Sequence, residues 1–197
     1  MIFLLRHGQT EYNVEGRYQG AKDSPLTRLG QQQANVNGKL LSLYAPSAQL
    51  WCSPLPRAVE TARLISAYLP TAHLRLEPRL REVSLGQWEG LTRAAVKREW
   101  PELRKAHPHR EWLFHAPGGE RLESVTVRLR GVLEDAAAMS DKHAVVLVSH
   151  SIVGRVLRGL HAGLPLSRAL TLEAPQDVVL RLEPGGVISE LMPPQIQ

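Results

Sequence analysis

The sequence predicts an α/β protein with a mostly parallel sheet and helices on both of its faces. Three observations carry that expectation. Short apolar strand-like runs alternate with helix-like segments along the whole chain, which is the order that builds a parallel sheet. Two of those runs, residues 1–5 and 144–148, are apolar at every position, as strands buried on both faces are. Each leads within two positions to a histidine, His7 and His150, and such sheets bind ligands outside the carboxyl ends of their strands.

Taken in order, residues 1–5 form the first strand, ending at Arg6. Residues 28–43 read as a helix with Thr27 as its N-cap. Residues 50–52 are a short strand. Ser53 and Pro54 then supply the cap and the first position of a helix running to about Leu69. Residues 72–76 are a further strand candidate. Thr92 caps a short helix to Trp100, and Pro101 and Pro108 break the chain beyond it. Residues 122–139 form a long helix, 144–148 a strand, and 152–160 a helix that stops near Gly163 and Pro165. Residues 177–182 and 187–191, joined across Gly185 and Gly186, read as a terminal hairpin.

A chain of 197 residues suits a single domain, 1–197. It is long enough to bury about 70% of its unfolded surface and needs no covalent or metal staple. Hydrophobic residues at 43% and charged residues at 22% exclude a collagen-like or wholly disordered chain. With 24 Lys and Arg against 19 Asp and Glu, the net charge of +5 favours anionic ligands without choosing among them. No basic run supports nucleic-acid binding, and no stretch approaches the ~20 apolar residues of a membrane span. One cysteine, Cys52, excludes an internal disulfide, fits a reducing compartment, and reads as a small buried apolar residue. A cytoplasmic protein without membrane or nucleic-acid partners is expected, with a homodimer left open.

The candidate chemistry centres on His7. Beside Arg6 its imidazolium is disfavoured by like-charge repulsion, and a neutral imidazole is a competent nucleophile. Arginine forks match phosphate oxygens, and Arg57 sits near the start of its helix, at the mouth of the same crevice. Glu82 lies in a glycine-containing loop where a carboxylic acid would protonate a leaving oxygen. Each has a blander reading. A lone histidine after a strand is more often structural, and single Arg57 or Glu82 residues are more often surface ion-pair partners.

Five signatures in chain order, the first of them in two parts, remove that ambiguity. Leu5-Arg6-His7-Gly8-Gln9-Thr10-Glu11-Tyr12-Asn13 resembles the Arg-His-Gly signature of the histidine phosphatase superfamily, the phosphoglycerate-mutase-like proteins. Gly20-Ala21-Lys22-Asp23-Ser24-Pro25-Leu26-Thr27 continues the likeness, as do Ser53-Pro54-Leu55-Pro56-Arg57-Ala58 and Leu80-Arg81-Glu82 with Gly86, Trp88, Glu89 and Gly90. Pro117-Gly118-Gly119-Glu120 and Val148-Ser149-His150 complete it. The resemblance implies a three-layer α/β sandwich. It implies His7 as the nucleophile that becomes phosphohistidine, Arg6, Arg57 and His150 around the phosphoryl group, and Glu82 as proton donor. It places Asn13, Gln19, Gly20 and Ser151 at the phosphate pocket, with no metal and no organic cofactor.

Three positions depart from the family pattern: Gln9 stands where Glu is common, Arg121 follows Gly-Gly-Glu, and Ser151 stands where Gly is common. The last would be strained if the turn needed a positive φ. The Leu85-Gly86-Gln87-Trp88-Glu89-Gly90 loop and the short chain are similar to the phosphatase branch. The expected activity is metal-independent hydrolysis of a small phosphorylated metabolite by an acid-type phosphatase. Mutase activity is the alternative, and a weakly catalytic protein-binding module is disfavoured because none of the five central residues is lost. The segment 92–116 is expected to form a lid. It carries Arg93, Lys97, Arg98, Arg104, Lys105 and Arg110, either a cationic cap or a solvated basic face, and His107, His109 and His115 lack metal-ligand spacing.

Overall fold

The computed structural model describes residues 1–192. Its elements are β1 (Ile2–Arg6), α1 (Glu11–Val14), α2 (Arg28–Tyr44), β2 (Gln49–Cys52), α3 (Pro56–Ser66), β3 (His73–Leu76), α4 (Arg93–Glu99) and α5 (Pro101–Ala106). Then come α6 (Leu122–Ser140), β4 (Val145–Ser149), α7 (Ser151–Ala162), α8 (Leu166–Ala169), β5 (Val179–Glu183) and β6 (Val187–Glu190). Among the described residues the strands form one sheet in the order β3-β2-β4-β1-β5-β6. β1, β4, β2 and β3 run parallel to one another, and the β5–β6 hairpin adds antiparallel strands beside β1.

Side chains alternate across a strand, and here the alternation sorts the core into two layers. Ile2, Leu4, Val145 and Leu147 pack with Val125, Leu129 and Val132 of α6 and Val153, Val156 and Leu157 of α7. Phe3, Leu5, Val146 and Val148 face the other way, onto Leu41 of α2 and Ala58, Ala62 and Ile65 of α3. β1 and β4 are central and apolar on both faces because both faces are covered. β3, at the sheet edge, is exposed at every position. This is the three-layer sandwich.

Several local expectations need correction. Ser53 does not cap α3. The cap is Leu55, and Pro56 rather than Pro54 takes the first helical turn, where its missing N–H costs nothing. That helix ends at Ser66, short of Leu69. Pro101 opens α5 rather than ending order, for the same reason. α1 has no apolar periodicity to announce it and exists through a capping box, in which Thr10 and Asn13 satisfy each other's backbone amides. Gly163 closes α7 in the left-handed conformation with φ +62°, as its position suggests.

Trp88 is fully buried, with Trp100 and Trp112 ring-to-ring against it at 6.0 and 5.3 Å. Cys52 is buried, and desolvation pushes its thiol up to about 12. Among the described residues no helix is long and apolar enough to cross a membrane.

Candidate active site

β1 and β4 are hydrogen-bonded neighbours in register Arg6↔Ser149, so the residues after them emerge side by side. The His7 amide donates to the Ser149 carbonyl at 2.9 Å, and the His7 and His150 ring centroids lie 5.1 Å apart. Both rings are buried. The His7 loop is fixed by close packing: a Cβ on Gly8 would lie 2.2 Å from the Gly30 carbonyl oxygen, so α2 abuts this turn only where glycine stands.

His7 Nδ1 lies 2.8 Å from the Gly8 carbonyl, which can only accept. The proton therefore sits on Nδ1, and Nε2 keeps its lone pair. Burial drives the His7 pKa well below 6.5, and Arg6 and Arg57 push it further in the same direction. His150 is shifted the same way by burial first, then by Arg57, His7 and Arg6. Its Nε2 lies 2.7 Å from Ser53 Oγ, which already accepts the Leu55 amide. The Ser53 hydroxyl proton is thus available to Nε2, leaving the ring proton on Nδ1, which is buried and has no partner. Ser53 holds this imidazole instead of capping a helix.

Arg57 is 1% exposed. Its Nη1 donates to the Lys22 carbonyl and Asp23 Oδ1, both at 2.8 Å, and its Nη2 to the Gly20 carbonyl at 2.9 Å. Gly20 holds φ +54°, and a Cβ there would meet the Glu89 carboxylate at 2.3 Å. Glu89 Oε1 in turn accepts from the Ala21 and Leu85 amides and the Ser84 hydroxyl, tying the two loops together. Arg6 donates from Nη1 to the Ala174 carbonyl at 2.8 Å, and burial pushes its pKa down to about 10. The Nε atoms of Arg6 and Arg57 are both buried without partners among the described residues.

Glu82 stands at the first turn of α7. Its Oε2 accepts the Ile152 amide and its Oε1 the Val153 amide, each at 3.2 Å, so the carboxylate occupies a helix N-terminus. Asn13 Oδ1 accepts from the Thr10 amide and from Gln176 Nε2, and among the described residues the Asn13 Nδ2 group has no acceptor. Gln19 is anchored to Thr10 Oγ1 at 2.8 Å and keeps a buried, unpartnered Oε1.

Ser151 starts α7 without a positive φ, so the turn does not need glycine, and its Oγ accepts from Arg155 Nη1. Gln9 turns away, its Oε1 accepting from Thr27 Oγ1. Arg121 reaches the Phe114 carbonyl.

Arg6, His7, Asn13, Gln19, Gly20, Arg57, Glu82 and Ser151 line one cavity of about 450 Å³. His150 is not among them: its ring packs beside that of His7, with Nε2 against Ser53 Oγ. Three lining arginines come from the 92–116 segment, Arg93, Arg104 and Arg110, whereas Lys97, Arg98 and Lys105 are not part of the wall. Trp112 is both a core residue and part of the wall. His107 and His115 stack at 3.5 Å, with His109 outside the pair. Among the described residues no group of three or more His, Cys, Asp or Glu is placed to hold a metal ion.

Reading the sequence residue by residue misses Arg155 and Gln176. Arg155 stands one helical turn after Ser151 on the same face, and that spacing is the signal that could find it. Gln176 donates to the His7 carbonyl from a loop with no local signal.

An open α/β sheet, two imidazoles at the carboxyl ends of adjacent parallel strands and an arginine-lined cavity define a class: proteins built to receive an oxyanion beside a histidine. Comparison with known proteins then gives the family. The chain belongs to the histidine phosphatase superfamily (branch 1), whose model matches residues 2–188. It is 34% identical over 172 residues to a glucosyl-3-phosphoglycerate phosphatase of Mycobacterium tuberculosis, covering 83% of this chain and 74% of that one. It is 33% identical over 185 residues to an adenosylcobalamin/α-ribazole phosphatase of Salmonella typhimurium, covering 93% and 86%. A solved mycobacterial glucosyl-3-phosphoglycerate phosphatase in complex with VO3 superimposes with a TM-score of 0.78 at 33% identity, covering 91% of this chain and 92% of that one.

Proposed function

We propose that this protein is a metal-independent phosphomonoesterase that cleaves a small phosphorylated metabolite through a phosphohistidine on His7. The observation that carries the reading is the set of buried donors left without partners. Among the described residues Arg6 Nε and Arg57 Nε are buried without partners; both side chains line the cavity with His7, and both charges act on its imidazole. An unsatisfied buried donor costs about 1–3 kcal/mol. A phosphoryl group beside His7 Nε2 presents acceptor oxygens to both guanidiniums.

The chemistry follows from the tautomers. His7 Nε2 attacks phosphorus, and the bond from phosphorus to the ester oxygen breaks. The leaving alkoxide takes a proton from the Glu82 carboxylic acid. Water then attacks the phosphohistidine, the Glu82 carboxylate accepts its proton, and the P–N bond breaks to release phosphate. Arg6 and Arg57, which line the cavity, donate to the equatorial oxygens, where charge spreads in the transition state; His150 packs against the His7 ring. Because His7 stays neutral well below pH 6.5, its lone pair is retained into the acid range. This supports the acid-type assignment.

The relatives' names specify small phosphorylated metabolites, and this chain is assigned a substrate of the same kind. Residues 92–116 act as its lid. The buried thiol of Cys52 suits a reducing cytoplasm.

The test is phosphate release from a panel of phosphorylated metabolites with chelator present, for wild type and His7→Ala side by side. Release by the wild type alone is expected, with His7→Ala slower by about 10⁴-fold or more. Equal activity of the two proteins overturns the mechanism. Phosphoryl shift within phosphoglycerate without phosphate release would make the protein a mutase.

A further inference from the structure

We infer that Gln176 is a positioning residue for the reaction, holding the Asn13 amide and the His7 backbone at a fixed spacing although it does not itself line the cavity. The inference rests on the phosphatase reading and adds a residue that acts on the site from outside it.

The loop that carries Gln176 is held in an unusual way. Residues 172–176 lie between α8 and β5 and belong to no helix or strand. Four of their carbonyls nonetheless accept from side chains of other elements. On α7, Arg155 Nε donates to the Leu172 carbonyl at 2.6 Å and Arg158 Nη2 to that of Glu173. Arg6 Nη1, on β1, donates to the Ala174 carbonyl at 2.8 Å, and Asn37 Nδ2, on α2, to that of Gln176 at 3.2 Å. Asn37, Arg155 and Arg158 are all buried. Polar groups are buried at a cost unless they are bonded, so a loop with no ladder of its own is fixed by buried donors from three elements.

From this fixed loop the Gln176 side chain bridges two parts of the site. Its Nε2 donates to the His7 carbonyl at 3.1 Å and to Asn13 Oδ1 at 2.9 Å. Both partners can only accept, and an amide nitrogen carries two N–H groups, one for each. A carboxylate of the same shape would face two oxygens. His7 and Asn13 line the cavity and Gln176 does not, so its effect on the reaction passes through them.

At one end the bridge fixes a donor. Asn13 Oδ1 accepts from the Thr10 amide at 3.1 Å as well as from Gln176. Turning the Asn13 amide over would set its NH2 against two other donors. Its Nδ2 has no acceptor among the described residues and is what this wall residue offers a phosphoryl oxygen. At the other end the bridge fixes the nucleophile. The peptide joining His7 to Gly8 is gripped on both sides, its carbonyl by Gln176 and its N–H by Thr61 Oγ1 at 3.1 Å. The next carbonyl, that of Gly8, receives the His7 Nδ1 proton. A tilt of the first peptide moves the second, and with it the ring nitrogen that attacks. Misplacement by 1 Å in such geometry costs about 10²-fold in rate.

The experiment is a cycle of wild type, Gln176→Met, Asn13→Ala and the double variant, assayed for phosphate release on the ester the wild type cleaves best. Gln176→Met is expected to lower kcat about tenfold, with KM changed by less than about threefold. In the Asn13→Ala background the same substitution should cost at most about threefold, because one of its two targets is gone. Gln176→Glu keeps the shape of the side chain and removes both donors, so at neutral pH it should lose at least as much kcat as Gln176→Met. Wild-type kcat in Gln176→Glu, a loss confined to KM, or equal losses with and without Asn13 overturns the inference. If no ester releases phosphate, the phosphatase reading fails, and vanadate binding decides the role of Gln176 by itself. Vanadate accepts a fifth ligand and so mimics a phosphoryl group in transit. Calorimetry should show it bound about tenfold more weakly by Gln176→Met than by the wild type, and equal affinities reject Gln176 as a positioning residue.

Discussion

Arg57 at the floor of the cavity and Arg110 at its rim carry the same guanidinium under different constraints. Arg57 is buried and bonded to two carbonyls and a carboxylate of the 20–23 loop, so it is part of the scaffold as well as the site. Arg110 is exposed, touches no acceptor among the described residues, and owes its position to backbone conformation alone. Floor residues thus couple chemistry to stability. The Arg110 side chain has no such bonds among the described residues, so it can be changed at little structural cost.

The sharpest way to break this comparison is Arg57→Ala. It is expected to lower kcat by about 10²–10³-fold, as loss of one oxyanion donor does. It should also lower stability by about 3 kcal/mol in urea titration, because the Gly20 and Lys22 carbonyls and Asp23 lose their partner. Unchanged stability would show that the floor is not scaffold.

Next in size is Glu82→Gln. Its effect should be about 10²-fold on esters with poor leaving groups and much smaller on aryl phosphates, which leave without a proton. Equal losses on both would reject Glu82 as the acid.

A pH series extends the contrast to the histidines. His7 and His150 have folded pKa values well below 6.5, so below that pH the unfolded chain binds more protons than the folded one. Their contribution to stability is present above about pH 6.5 and is lost as pH falls. The expected slope is up to about 1.4 kcal/mol per pH unit for each histidine. His7→Gln should remove one histidine's share of that slope, and an unaltered slope would refute the assignment.

The smallest expected effect is at the rim. His109→Gly relieves one left-handed non-glycine residue and should raise stability by up to about 1 kcal/mol. No gain in urea titration would place the strain elsewhere.

The parts of this molecule legible in its sequence are those set by local pattern. β1 and β4 read as continuous apolar runs because both faces of each are covered, and the histidines come directly after them. Arg6, His7, Arg57, Glu82 and His150 are found through motif order, and all but His150 reach the cavity wall. Ser53 reads as a cap because a serine before a helix and a serine beneath an imidazole look alike without the partner. Gln176 and Arg155 act through contacts across the fold that no window contains. The left-handed pair at His109 and Arg110 defeats propensity altogether, since positive φ is uncommon for any non-glycine residue and two in succession are rarer still. That is why sequence alone leaves the orientation of the 92–116 arginines open between two readings.

The pairing of β1 with β4 and β5 has a consequence for how the protein is made. β1 is made before every other strand of the sheet, but the two strands that flank it, β4 and β5, follow only after β2 and β3. Until then Ile2, Phe3, Leu4 and Leu5 are an apolar strand with no neighbour on either edge. Such a segment is exposed to misassociation for most of translation, and long-range strand pairing of this kind closes slowly. The early helices α2 and α3 can fold against each other, but the two imidazoles meet only when β4 arrives. A nascent chain cannot turn over substrate before that moment, and a truncation upstream of β4 should yield an insoluble protein rather than a weak enzyme.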